Sequence, residues 1–472
     1  MLRADAERVT GALPYGVNID EFAALCRDGA ARAARRAHPV LVSWTVPVPA
    51  HRITDAVRLL PGAPGRTFCW LSTWSGFRRL AIGTALDVTG HGAARFDQLS
   101  GWLETSGDGA LLGGSGRMPT LVGGFRFGTE GIRPQGVPDA LMWLPAAELT
   151  ETDEMSAELT LNAWVHPAVH VERAVITAAT AARALLQPPP PPETVRPQLR
   201  SLVEEPSACG WQQLVRSALD AISNGVFEKV LLARRVEATF DRPVSVSGVL
   251  SALIEGLRAG AVFGVQLGGR WFVGRTPECL VHTDGERAAA HTLAGSVPRD
   301  EEPAHDENPS GSVRTSPRTE RRRAIIADFA AEVLGGFFTE VTVSPVVDIA
   351  QRDTQITATG PKAPINPLRL AEALHPTPAV GGFPRDPAVR WLADNEPGDR
   401  GWYASPIGWA GPHSGEFALG VRSADIAGTS ATLYAGCGIV AGSDPAEEYA
   451  ETCAKMRQML EVLGIDDDGV AA

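Results

Sequence analysis

Between Trp211 and Ile222 the apolar positions recur with helical spacing, so that Trp211, Leu214, Val215, Leu219 and Ile222 fall roughly on one face. Asn224-Gly225 stops the pattern. From Phe227 to Phe240 the chain is mostly β-branched or apolar around Lys229, which predicts a strand. Another strand covers Val262 to Leu267, and Gly268-Gly269 is a two-residue hairpin turn into Trp271 to Gly274. Cys279 to Thr283, the Asp284-Gly285 turn and Ala288 to Leu293 continue this meander. Towards the other end, Tyr403 to Trp409, Glu416 to Ser423 and Ala431 to Val440 predict three strands between Gly-containing turns. Asp444-Pro445-Ala446-Glu447 then opens a helix, with Asp as cap, Pro at the first position and Glu three residues after the cap. That helix runs to about Leu463 and ends at Gly464. Hairpins followed by helices, with few βαβ alternations, predict an antiparallel α+β architecture.

The seam in this pattern is Pro188 to Pro192, five consecutive prolines. Such a run enters neither a helix nor a central strand and favours an extended, semi-rigid connection. It divides the chain into residues 1–187, a crossing over 188–200, and a C-terminal region over 201–465. Composition alone leaves open whether the crossing joins two domains or lies on the surface of one.

Among 472 residues, 44 % are apolar and 21 % charged, which fits a globular chain large enough to bury a substantial core. The net charge of -12 argues against nucleic acid or an anionic membrane as the main partner. A small anionic substrate is compatible with this charge, since a local Arg/Lys cluster can hold a carboxylate inside an acidic protein. The six cysteines form no CxxC pair and no zinc-like spacing with histidine, so free thiols in a reducing cytosol are expected. Mixed charges from Met1 to Arg8, and no apolar run long enough for a bilayer, predict a cytoplasmic, unanchored protein.

Several residues offer chemistry. A lysine inside an apolar strand, like Lys229, either faces water at an edge or sits in a polar pocket, where burial lowers its pKa towards that of a base. Glu278, after Thr276-Pro277, is either an exposed turn carboxylate or a general acid beside apolar neighbours. Glu448, Glu451 and Lys455 share a helix face at i, i+3 and i+7. They form either a solvated charged face or a site for a hard cation such as Mg²⁺. Arg422, a strand arginine, suits a carboxylate or a surface ion pair. Gly436-Cys437-Gly438 inside a strand marks close approach of a ligand or another backbone.

In their joint order these stretches resemble the chorismate-utilising enzymes: isochorismate synthases, salicylate synthases, and the large subunits of anthranilate and aminodeoxychorismate synthases. The resemblance is carried by Phe227 to Arg234, Gly274-Arg275-Thr276-Pro277-Glu278, Leu293-Ala294-Gly295-Ser296, Leu374 to Gly382 and Arg400-Gly401-Trp402-Tyr403. It continues through Val421-Arg422-Ser423, Tyr434 to Val440, and Ser443-Asp444-Pro445 leading to Glu448, Glu451 and Lys455. Upstream, Phe68-Cys69-Trp70, Gly83-Thr84-Ala85 and Gly123 to Phe127 fall in the order expected of an isochorismate synthase.

The resemblance implies a two-sheet, mainly antiparallel sandwich flanked by helices, with the proline run crossing the surface of one intertwined body. A monomer is expected, and the resemblance implies action on chorismate, with Lys229 activating water for attack at C2 and Glu278 protonating the departing C4 hydroxyl. Tyr403, Arg422, Gly436 and Lys455 match positions that hold the substrate carboxylates, and Ser296 and Thr377 fall in substrate-site segments. Glu451, with Glu448 nearby, matches the magnesium side. Lysine at 229 fits water rather than ammonia as nucleophile, and the wording from His375 to Gly382 is nearest the isochorismate synthases. A salicylate synthase-like activity is the alternative, and the product could serve menaquinone or a siderophore.

One segment departs from the pattern. Where relatives carry a second magnesium carboxylate, this chain reads Arg318-Thr319-Glu320-Arg321-Arg322-Arg323, which aligns Arg322 with the missing glutamate. Glu320 is about 200° away around the helix. Gln355 likewise stands where relatives have a histidine. Unless the alignment shifts around the loop from Arg299 to Arg318, Arg322 replaces the metal's charge and pairs with Glu451 or Glu448, or the chain only binds chorismate. Weak or absent metal dependence is the expectation.

Overall fold

The computed structural model describes residues 13–49, 53–128, 138–151, 156–167, 171–193, 195–293, 317–347 and 352–465. Its framework is two large β-sheets, each built from strands on both sides of the proline run. The thirteen-stranded sheet runs from Leu199–Glu205 through Lys229–Phe240, Ser430–Val440, Ser423–Ala427, Arg270–Thr276 and Ala261–Leu267. It continues without a break into Thr67–Ser72, Arg78–Ile82, Ala147–Glu151, Ser156–Val165, Val40–Pro49 and Leu111–Gly114. The short strand Gly382–Phe383 pairs with the start of Lys229–Phe240. The nine-stranded sheet runs from Phe338–Val347 through Arg352–Pro361, Arg287–Leu293, Cys279–Thr283, Gly415–Leu419 and Pro406–Ala410 to Leu121–Phe125, Ala140–Leu144 and Leu86–Gly90. Among the described residues every strand pairing is antiparallel except Val40–Pro49 with Leu111–Gly114.

The sheets face each other across an aromatic layer. Phe68, Trp70, Phe263 and Phe272 of the large sheet meet Val122, Trp143, Ile407 and Trp409 of the small one. Each phenylalanine buried there contributes about 1.5–3 kcal/mol. The indole of Trp70 donates to Glu416 at 3.2 Å, tying one sheet to the other. Helices Ile19–Arg36, Val171–Leu185, Val246–Glu255 and Pro445–Leu463 cover the outer face of the large sheet. Arg95–Ser106, Pro317–Phe337 and Pro367–Leu374 cover the small one. The α+β sandwich thus has the expected form. No described helix is long and apolar enough to cross a membrane.

The proline run lies along the surface in irregular conformation, with Arg58 donating to the Pro190 carbonyl at 2.9 Å. The helix expected over Trp211 to Ile222 spans Ala208–Ser223, capped by the Ser207 hydroxyl on the Gly210 amide. The last helix is capped as expected: Asp444 accepts from the Ala446 and Glu447 amides, and Gly464 closes the helix at φ 74°. Gly268 and Gly269, at φ 56° and 85°, make the hairpin turn.

Three expectations need correction. The segment from Cys279 onward does not extend the preceding hairpin but crosses to the small sheet. Glu416 to Ser423 is not one strand: Gly415–Leu419 belongs to the small sheet and Ser423–Ala427 to the large one. Arg422 therefore sits in the crossing, at φ 54°, rather than in a strand. Tyr403 lies in the turn before Pro406–Ala410, not in the strand itself. The alternation of apolar residues ran on through these crossings because both sides of each are buried, which hides a change of sheet from periodicity.

Candidate active site

The two crossings lie side by side and build one end of a cavity. Where Arg270–Thr276 gives way to Cys279–Thr283, the chain places Pro277 and Glu278; where Gly415–Leu419 gives way to Ser423–Ala427, it places Val421 and Arg422. Backbone bonds lock them together, Leu419 N–H to the Glu278 carbonyl at 3.1 Å and Arg275 N–H to the Arg422 carbonyl at 3.2 Å. A non-glycine residue in the left-handed region, such as Arg422, is held there only by its surroundings. Here it directs the guanidinium to the last helix, whose Lys455 carbonyl accepts from Nη1 at 3.1 Å.

Lys229 opens the strand Lys229–Phe240 and is buried, 2 % exposed. Its ammonium donates to the Pro378 carbonyl. Burial, then the nearby Arg322 charge, lower its pKa to about 7; Glu278 opposes and Lys455 adds to the shift. Lys229 and Glu278 both line the cavity. Of the alternatives open in the sequence, the structure gives Lys229 the polar pocket.

The space for this lysine comes from glycine. A Cβ on Gly438 would lie 3.0 Å from Lys229 Cε, 3.3 Å from its Nζ and 3.9 Å from Arg322 Nε. A Cβ on Gly436 would lie 2.5 Å from the Leu232 carbonyl oxygen and 3.0 Å from the Tyr403 hydroxyl. The glycine pair in Ser430–Val440 therefore marks close approach, as its placement in a strand implied. Tyr403 stacks on Tyr434 with centroids 5.2 Å apart. Lys455 Nζ donates to the Gly436 carbonyl at 2.7 Å and pairs with Glu451 at 2.7 Å.

The structure thus gathers Lys229, Glu278, Arg322, Tyr403, Arg422, Gly436, Glu451 and Lys455 around one cavity. Glu448 is buried beside it rather than lining it. Thr377 is buried behind the wall: its hydroxyl accepts from the Ala379 amide at 3.2 Å, while Ala379 and Val380 line the cavity. Ser296 lies outside the described residues.

Two carboxylates of the last helix, Glu448 and Glu451, are already engaged by cations. Arg322, on the helix Pro317–Phe337, donates through Nη2 to Glu448 at 2.7 Å and approaches Glu451 through Nη1 at 3.7 Å. Ser443 donates to the same Glu448 oxygen at 2.7 Å. No group of three or more His, Cys, Asp or Glu side chains that could hold a metal occurs among the described residues. Magnesium is usually held by one or two free carboxylates together with water and substrate, and here neither carboxylate is free of a cationic partner. This donor set, two carboxylates compensated by arginine and lysine, does not fit magnesium.

Sequence reasoning missed the support behind the Lys229 wall. Arg400 is buried, 6 % exposed, and grips Glu396 through two bonds of 2.5 and 2.7 Å. It also donates to the carbonyls of Val380 and Leu231, both at 2.7 Å, and Glu396 accepts from the Ala233 amide at 2.9 Å. The loop carrying Pro378 is thereby fixed to the strand carrying Lys229. The i,i+4 spacing of Glu396 and Arg400 was the available signal, but it is indistinguishable in sequence from a surface pair.

The model for the family described as chorismate binding enzyme matches residues 28–464. The chain is 32 % identical over 363 residues to the isochorismate synthase MenF of Bacillus subtilis (strain 168), covering 73 % of this chain and 75 % of that one. To the salicylate biosynthesis isochorismate synthase of Pseudomonas aeruginosa it is 32 % identical over 411 residues, 82 % and 84 % of the two chains. Among solved structures it is similar to MenF, the menaquinone-specific isochorismate synthase of Escherichia coli, with a TM-score of 0.75 at 23 % identity over 93 % of this chain and 99 % of that one. Anthranilate synthase component I of Streptococcus pneumoniae TIGR4 has the same fold, with a TM-score of 0.65 at 17 % identity over 81 % and 92 % of the two chains.

Proposed function

The chain belongs to the chorismate-binding enzyme family, and from that premise we propose that it is an isochorismate synthase. The observation that carries this reading is a buried lysine, shifted to about pH 7, sharing a cavity with a carboxyl group and a cationic wall. Chorismate carries two carboxylates, and Arg422, Lys455 and Arg322 supply complementary charge.

In this reading neutral Lys229 accepts a proton from water as the water oxygen bonds to C2. The ring double bonds shift, the C4–O bond breaks, and Glu278 delivers a proton to the leaving hydroxyl. One water enters and one leaves, so the reaction is an isomerisation. Afterwards Lys229 holds a proton and Glu278 lacks one, and both face the same cavity, so solvent reaching it restores the starting state. General acid–base help of this kind is worth about 10²–10⁴-fold. The carbonyl of Pro378 holds the lysine in place, and Tyr403 and Arg422 orient the substrate.

The test is incubation of the full chain with chorismate and chromatographic separation of products, with lactate dehydrogenase coupling to detect pyruvate. Isochorismate without pyruvate is expected. Pyruvate release would move the reading to a salicylate synthase-like lyase. Chorismate bound but unchanged would leave a non-catalytic binder.

A further inference from the structure

We propose that Arg322 is the built-in cation of this site: held on Glu448 and Glu451, it binds a carboxylate of the substrate and takes the place of a divalent metal ion. This rests on the reading that the cavity takes chorismate, but not on turnover. Glu448 and Glu451, projecting from one face of Pro445–Leu463, concentrate negative charge beside a cavity meant for a dianion, and such a pair requires a cation. Arg322 supplies it from the facing helix Pro317–Phe337, with bonds to Glu448 at 2.7 Å and to Ser443 at 3.3 Å and an approach to Glu451 at 3.7 Å. Lys455 neutralises the other Glu451 oxygen at 2.7 Å. A metal ion entering here would displace a guanidinium that cannot lose its charge.

Arg322 also has donor capacity to spare. A guanidinium has five N–H donors in a planar fork. The Nε–H of Arg322 is buried and finds no hydrogen-bond acceptor among the described residues. It lies over Gly438, next to Lys229, and Arg322 is part of the cavity wall. An idle, desolvated donor at a substrate cavity is costly unless a ligand acceptor completes it. A carboxylate has the matching geometry.

The experiment has two readouts besides activity. Electron paramagnetic resonance of Mn²⁺ titrated into the full chain measures metal uptake directly. The wild type is expected to leave the free-ion signal unchanged, with or without chorismate, whereas Arg322→Glu, which sets three carboxylates together, is expected to take up about one ion. Calorimetric titration of chorismate in EDTA should show binding by the wild type, weakened about 10–100-fold in Arg322→Gln, the range for a charged hydrogen-bonded contact. Arg322→Lys, which keeps the charge, should retain most of the affinity and stands in if the other variants fail to fold. Wild-type uptake of one Mn²⁺ that is lost in Glu451→Gln would overturn the proposal. So would chorismate binding that needs Mg²⁺ or that Arg322→Gln leaves unchanged. If binding behaves as expected but no isochorismate forms, the catalytic reading fails and the role of Arg322 stands; if isochorismate forms only with Mg²⁺, the reverse holds.

Discussion

Two arginine–glutamate clusters flank the strand that begins at Lys229, and they are finished to different degrees. Arg400 uses Nε, Nη1 and Nη2 on Glu396 and two main-chain carbonyls, and both Glu396 oxygens are engaged. Arg322 holds Glu448 and Ser443 through one nitrogen and leaves its Nε–H idle. Both pairs are largely buried, so burial does not separate them. Completion does. A closed network can only hold backbone in place, whereas an open one at a cavity has capacity for a ligand.

The most damaging way to test this contrast is Arg400→Ala. It leaves Glu396 charged and buried, which costs about 3–5 kcal/mol, and a urea titration should show the midpoint falling accordingly. A midpoint equal to that of the wild type would mean the closed cluster is not structural. Lys229→Met should do the opposite. It removes the proposed base, lowering kcat/KM about 10²–10⁴-fold, while a thermal melt should show stability unchanged or higher, because a buried amine is replaced by an apolar chain of similar length.

A smaller effect should appear in the pH profile. With Lys229 at about 7, kcat/KM should rise with pH through that value as the ammonium loses its proton. The groups acting on it are Arg322 and Lys455, which lower its pKa, and Glu278 and Cys437, which raise it. Removing the Arg322 charge in Arg322→Gln relieves repulsion of the ammonium, so the rising limb should move to higher pH. A limb that stays in place would separate Arg322 electrically from the base. Least of all should happen at Arg321, one residue away, whose exposed bond to Glu228 at 2.6 Å is worth at most about 1 kcal/mol. Arg321→Ala should leave both the melt and the rate near wild type.

How far such a site can be read from sequence depends on whether the deciding contact is local. The last helix was legible to its ends because its cap and its terminating glycine act within a few residues. Lys229 was legible as an anomaly, a charge in an apolar strand. Its bond to Pro378, 149 residues away, was not, since no periodicity encodes that meeting. Arg322 stood out only against the family's pattern, and its contact with Glu448 spans 126 residues. Arg422 was found but misplaced: a strand arginine and an arginine at φ 54° between two strands have the same neighbours in sequence. The crossings are where apolar patterning is least informative and where the cavity forms.

The position of Ser430–Val440 has a consequence for how the protein is made. This strand lies between Lys229–Phe240 and Ser423–Ala427 in the large sheet, and its glycines leave the space that Lys229 occupies. During synthesis at roughly 5–20 residues per second, Lys229 leaves the ribosome on the order of 10–40 s before residue 440 does. For that interval the long, apolar Lys229 strand has an open edge with nothing in register to cover it, the kind of edge on which nascent chains misassociate. The late strand therefore serves as a closing piece, and yield in cells should depend on chaperone supply and translation speed across this stretch more than on the stability of the finished fold.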